Sequence, residues 1–254
     1  MWPGKALNYY VPGRIGSIVN APFTFANYSE MIAPAYVHFF LDTFRIGLIA
    51  TFTGLTIGYI IAYRVALTRS TYKRKLWIGL LVSMMFLSVL VRVYSLLLTF
   101  GPVGFLKSIL AGLNPNSSAM TELLVVAGLL HWLIPIFSLT LIGTIQNLNP
   151  ALVEAAQSLG APKWVAHLKI TIPLSMRGIL SAFLIGYTLC ISAFVIPLIM
   201  GKGKVIFISN IIYSRFSEVA NYPSGAAFSI VMLALSLFII YFVTRLATLR
   251  WDKA

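Results

Sequence analysis

Acidic residues are few in this chain. Six Asp and Glu stand against 19 Lys and Arg in 254 residues, a formal charge of +13, and only 10% of residues are charged. A soluble domain carries about 25% charged residues, so an ordinary water-exposed globule is excluded. Cysteine is almost absent. Cys190 is the single one and cannot form an internal disulfide, which excludes a disulfide-stapled scaffold; inside an apolar run it is expected to act as a small buried hydrophobe. Catalytic signatures are missing too: there is no G-x-x-x-x-G-K-[ST] phosphate loop, no H-E-x-x-H and no G-x-S-x-G. Gly201-Lys202-Gly203-Lys204 does not make such a phosphate loop. His131 has no second His, Cys or carboxylate at ligand spacing, so no metal site is expected. What the chain does hold is apolar residues, 59% of the total, with a mean hydropathy of +0.90. That composition excludes disorder and indicates a membrane protein.

A helix crossing about 30 Å of hydrocarbon needs roughly 17 to 25 apolar residues. Five stretches qualify: Ile46–Tyr63, Leu76–Phe100, Leu123–Ile145, Gly178–Met200 and Ala226–Thr244. They are apolar all round instead of alternating with period two, so the expected fold is an all-α membrane bundle and not a barrel. The basic residues cluster between these runs, the pattern of cytoplasmic flanks and not of a nucleic-acid surface; no nucleic-acid partner is expected, and the lipid bilayer is. Arg64, Arg69, Lys73, Arg74 and Lys75 mark one side as cytoplasm, and counting spans alternately adds Lys163, Lys169, Arg177, Arg245, Arg250 and Lys253 to it. Lys107, Lys202, Lys204 and Arg215 fall on the other side with Glu30, Glu122 and Glu218.

This reading divides the chain into an outer N-terminal segment over residues 1–36, a transmembrane domain over 37–248 and a cytoplasmic tail over 249–254. Met1–Tyr36 contains four prolines, no spanning run and no signal-peptide core. A translocated tail and a further helix ahead of it both fit.

The connection Asn147–Met176 is 30 residues long, where helix–helix connections are commonly about 2–8. Asn149 is a good N-cap and Pro150 suits the first helical position, so a short helix should run through Gln157. Gly160 supplies a left-handed stop. Pro162 then starts a second helix over Lys163–Lys169, expected to end at Ile172-Pro173. On the first helix Leu152, Ala156 and Leu159 share an apolar stripe. Two readings of that stripe remain: a helix in the headgroup layer, or one that docks on a partner.

The spacing Glu154-Ala155-Ala156, three residues, Gly160, nine residues, Ile170-Thr171-Ile172-Pro173 resembles the EAA loop of ABC-transporter permease subunits, with Ile172 where that pattern has Leu. Arg92-Val93-Tyr94, Ser192 through Pro197 followed by Met200 to Lys204, and Asn221 through Ala227 are similar to the spermidine/putrescine-type permeases, over roughly Tyr28 to Leu246. The resemblance implies a permease bundle of the type I importer kind with short cytoplasmic coupling helices, here with five helices where relatives usually have six. It implies several partners: a second permease subunit, a periplasmic solute-binding protein, and two cytoplasmic ATPase subunits that would bind the ATP and Mg. The chain itself would hold no cofactor and would not be an enzyme, and it would reside in the bacterial inner membrane. Glu154, Ala155, Ala156 and Gly160 would seat on the ATPase, while Ile170, Ile172 and Pro173 would anchor the loop to the next span.

Four residues are candidates for the translocation path. Arg92 lies 16 residues from Leu76, roughly 24 Å into the membrane, so it should face the bundle interior or snorkel to the outer headgroups. Pro197 frees a backbone carbonyl, tolerated where a helix lines a cavity or kinks against a neighbour. Phe194 adjoins it, and Tyr187, seven residues earlier, would share its face on an unbroken helix. Asp42 and Arg45 are spaced to pair at the outer end of the first span. The cargo expected from the resemblance is polyamine-like, a small polar solute; the competing reading is a stand-alone secondary transporter or channel.

Overall fold

The structure is a computed structural model that describes residues 26–101, 104 and 117–251, with only the backbone described for residues 26 and 246–251. Most of the expected N-terminal segment, together with Lys107 and residues 252–254, lies outside the described residues. Among them the secondary structure is helical, with no strand. In chain order the helices are α1 (Ala26–Glu30), α2 (Pro34–Ala66), α3 (Thr71–Phe86), α4 (Val89–Phe100), α5 (Ser118–Gln146), α6 (Pro150–Ser158), α7 (Lys163–Ala166), α8 (Ile172–Ile191), α9 (Val195–Met200), α10 (Ile208–Tyr213) and α11 (Tyr222–Trp251). Single π-helical turns fill His167–Thr171 and Ser214–Glu218.

Four stretches among the described residues are long and apolar enough to cross a membrane: Pro34–Ala66, Ser118–Gln146, Lys163–Ile191 and Tyr222–Arg245. The bent pair α3 and α4 makes a fifth if it counts as one span. Three boundaries differ from the sequence expectation. First, α2 begins at Pro34, twelve residues before the apolar run at Ile46, because Asp42 is paired on the helix with Arg45 at 3.5 Å and with His38 at 3.2 Å. A carboxylate with partners at i+3 and i−4 does not stop a helix. Second, the run Leu76–Phe100 is broken at Leu87-Ser88, where α3 and α4 meet at 95°. Third, the run Gly178–Met200 is not one helix. It ends at Ile191, while its start extends back through Pro173 to Lys163. Pro173 lacks the N–H that an α-helix needs, and the π turn just before it shifts the bonding to i→i−5, with the Ile172 N–H reaching His167 O. The second helix of the cytoplasmic connection therefore does not end at Ile172-Pro173.

The chain forms two compact units, Ile46–Cys190 and the segments on either side of it. In Ile46–Cys190 the core is α5, whose Leu124, Leu129, Leu133, Phe137 and Leu141 are fully or almost fully buried. It packs on α3 and α4. Phe137 also fills the space left by three glycines. A Cβ on Gly58 would come within 2.6 Å of the Phe137 Cβ, and one on Gly186 would strike its ring. A Cβ on Gly54 would lie 3.0 Å from the same ring. Small residues allow this close helix approach in a bilayer, where apolar burial alone does not drive association. Ser138 Oγ adds a hydrogen bond to Gly58 O at 3.3 Å.

The other unit is built on Met31, Ala227 and Phe228, flanked by Tyr36, Phe40, Ile211 and Val231. Its polar centre is Arg215. The guanidinium lies 2.6 Å from Glu30 Oε1 and donates to the Tyr36 hydroxyl at 2.5 Å. It also lies over the Tyr36 and Phe228 rings at 5.9 and 6.0 Å. Asn221 caps α11 by accepting from the Ser224 N–H at 3.2 Å.

Candidate functional site

The cytoplasmic connection folds from its own sequence. Asn149 Oδ1 accepts from the Ala151 N–H at 3.0 Å and Pro150 opens α6. Gly160 has φ +89°, the left-handed conformation. Around it the Gly160 N–H bonds to Gln157 O and the Ala161 N–H to Ala156 O, both at 3.0 Å. This pair closes the helix as a Schellman motif, satisfying carbonyls that would otherwise be orphaned. Helix α6 then packs back on α7 and the π turn. The result is a capped elbow with exposed apolar side chains, Leu159 being 90% exposed and Trp164 66%. Glu154, Ala155 and Gly160 lie exposed on it, and Ala156 is half-buried. Ile170 and Ile172 are half-buried at the junction with α8, beside buried Thr171, while Pro173 is exposed.

Arg92 is 6% exposed and caps the bend. Its Nη2 donates to Met84 O, Met85 O and Leu87 O at 2.8, 2.9 and 2.6 Å. These carbonyls belong to the end of α3, where a helix leaves acceptors unsatisfied and its dipole favours a cation. The side chain thus turns back to the preceding helix and does not snorkel outward. Its Nε and Nη1 have no hydrogen-bond partner among the described residues, nor has His131 Nδ1. Arg92 and His131 line a common cavity of about 150 Å³, large enough for ordered water.

The second break lies at Ser192–Phe194. Pro197 sits in the first turn of α9, where a missing N–H costs little. The carbonyl it would have bonded, Ala193 O, accepts instead from Ser209 Oγ at 2.7 Å. Phe194 O accepts from Asn210 Nδ2 at 2.9 Å, and Asn210 Oδ1 accepts in turn from the Phe207 N–H at 3.1 Å. The Phe194 ring lies 4.5 Å from that of Tyr213. Because α8 ends at Ile191, Tyr187 and Phe194 do not share a helix face as the seven-residue spacing predicts. Tyr187 is fully buried, stacked on Phe183 at 5.8 Å. Sequence reasoning missed Ser209 and Asn210 as the groups that stabilise this break, and Arg215 as the partner of Glu30; those pairs are 16 and 185 residues apart, beyond any local signal.

Residues 54–252, which include the elbow and both breaks, match the family described as "Binding-protein-dependent transport system inner membrane component". The chain belongs to that family. It is a multi-pass membrane permease subunit of an ABC importer. It is 32% identical over 238 residues to the spermidine/putrescine transport system permease protein PotB of Escherichia coli (strain K12), covering 91% of this chain and 86% of that one. To PotB of Haemophilus influenzae it is 31% identical over 232 residues, covering 89% and 81%. Its fold matches a subunit in the crystal structure of a bacterial ABC transporter that imports the acidic polysaccharide alginate, with a TM-score of 0.75 at 17% identity over 91% of this chain and 86% of that one. A second structure of the bacterial alginate transporter, in complex with a pentasaccharide-bound periplasmic protein, gives 0.71 at 18% identity over 87% and 81%.

Proposed function

We propose that this permease forms half of a translocation path for a small polyamine-like cation. It would couple to a cytoplasmic ATPase through the elbow Pro150–Ala166 and would work with a second permease subunit and a periplasmic binding protein in the bacterial inner membrane. The observation that carries the coupling is the elbow itself, a capped helix and a left-handed glycine that hold Glu154, Ala155 and Leu159 out in the open. A short apolar stripe of this kind needs a partner surface, and the two alanines leave room for a groove to approach closely. Glu154 would meet a basic group on the ATPase; Ile170, Ile172 and Pro173 would pass the displacement into α8. ATP and Mg would be bound by the ATPase alone. The polyamine assignment is supported by the similarity to the PotB proteins over nine-tenths of the chain.

On the path, Phe194 and Pro197 at the second break are the proposed lining, Tyr187 is proposed as packing within its own unit, stacked on Phe183, and Arg92 as the group that maintains the first break. Cysteine at Glu154 gives a direct test of coupling, since the native Cys190 is buried. In the assembled importer a Glu154→Cys subunit should crosslink to an ATPase bearing cysteines along its groove, and ATP-dependent spermidine uptake into proteoliposomes should stop once the link forms. No crosslink at any groove position would overturn the coupling role. Gradient-driven uptake by this chain without an ATPase would support the stand-alone transporter instead.

A further inference from the structure

The unit Ile46–Cys190 holds a second, larger cavity of about 870 Å³ that none of the coupling residues Glu154–Gly160 lines. Its wall is assembled from three separate places in the sequence: Tyr63 and Arg64 at the end of α2, Trp77 on α3, and Lys163, Trp164 and His167 at the start of the second arm of the elbow. Among the described residues Arg64 and Lys163 face it and no acidic side chain does, so its charge complements an anion. Two of its lining residues are packed rings, His167 on Tyr63 with centroids 3.9 Å apart, and Tyr63 stacks in turn on Tyr59 at 6.5 Å. Trp77 and Trp164, which also line it, are 48% and 66% exposed. The cavity opens beside the most basic connection in the chain, Arg64 to Lys75, which the distribution of charge places at the inner membrane surface.

Apolar walls, tryptophans at headgroup level and paired cations between helix ends are the chemistry that selects an anionic phospholipid on the cytoplasmic leaflet. We propose that this cavity is a binding site for an anionic glycerophospholipid, its phosphate held between Arg64 and Lys163 and its glycerol and upper chains against Trp77 and Trp164. Such a lipid joins the end of α2 to the second arm of the elbow, so the elbow is tethered to the membrane as well as to its own helix. The site requires only that the chain is an integral membrane subunit; it stands whether or not Glu154 engages an ATPase.

The test uses the complete importer in nanodiscs containing equal phosphatidylglycerol and phosphatidylcholine, with retained lipid counted by native mass spectrometry. Two basic groups at the surface give an expected preference for phosphatidylglycerol of about thirtyfold, or ~2 kcal/mol at 1.4 kcal/mol per tenfold. Arg64→Gln with Lys163→Gln should abolish the preference at this site, whereas Arg69→Gln with Lys73→Gln, the same charge change outside the cavity, should leave it. Equal retention of both lipids by the wild-type importer overturns the proposal without any variant. So does equal loss in the two double variants, which reduces the effect to general surface charge. An electron-microscopy map that shows a partner subunit's segment in the cavity, or retention of inorganic phosphate in place of lipid, also overturns it.

Discussion

Arg92 shows how a single side chain can decide the path of a helix. A buried guanidinium is costly where its hydrogens go unused; here Nη2 shares its two hydrogens among the carbonyls of Met84, Met85 and Leu87, while Nε and Nη1 have no partner among the described residues. Arg92→Met leaves those acceptors without a partner and should lower stability by about 2–4 kcal/mol, with Arg92→Lys losing less because it keeps the charge but not the planar fork. Thermal unfolding of the detergent-solubilised importer measures both; an unchanged midpoint for Arg92→Met would remove the arginine from the bend. Glycines divide in the same way. Gly186→Ala drives a methyl into the Phe137 ring and should cost about 1–3 kcal/mol, partly recovered by Phe137→Leu. Gly79→Ala meets nothing within 4 Å and should be neutral or stabilising by up to ~1 kcal/mol.

Among the elements, the elbow was the most legible from sequence. Asn149, Pro150 and Gly160 act within a few residues of themselves, so their chemistry is local and the observed α6 ends one residue past the expected helix. Gly160→Ala forces a side chain into φ +89° and should cost about 1–2 kcal/mol, with Gly160→Asn costing less. In the Glu154→Cys background Gly160→Ala should also lower the crosslinking yield to the ATPase, since it tilts the arm that carries the cysteine; an undiminished yield would show that the corner does not orient it. The two breaks were legible to different degrees. Pro197 signalled the second by freeing Ala193 O, but Leu87-Ser88 has no proline or glycine nearby; Arg92, five residues on, holds the first break, and Ser209 and Asn210, 16 residues on, hold the second. Hydropathy reads through such points because the residues stay apolar while the backbone turns.

At the scale of the whole chain, hydropathy identified the membrane class and four of the five expected runs as long apolar helices, the fifth only if the bent pair α3 and α4 counts as one span, while charge pairing set boundaries that hydropathy could not. The helix α2 extends outward past Asp42 because of His38 and Arg45. Arg215 and Glu30 join segments 185 residues apart, with the Tyr36 ring and hydroxyl completing the contact. A double-mutant cycle of Glu30→Gln and Arg215→Gln should give a coupling energy of about 1 kcal/mol, above a fully exposed pair because Arg215 is only 15% exposed. Additive effects in the thermal midpoints would mean that the pair holds nothing together.

The continuity of Lys163–Ile191 carries a mechanical consequence. Twenty-nine residues at 1.5 Å each make a rod roughly 43 Å long, and a stiff rod pushed at its foot must translate or tilt at its head. The wider ring at His167–Thr171, directly ahead of Pro173, is the one place on that rod where the ladder changes pitch. A stroke delivered beneath Trp164 would therefore be felt at Ile191 without slack, and any give in the linkage would be concentrated in those five residues.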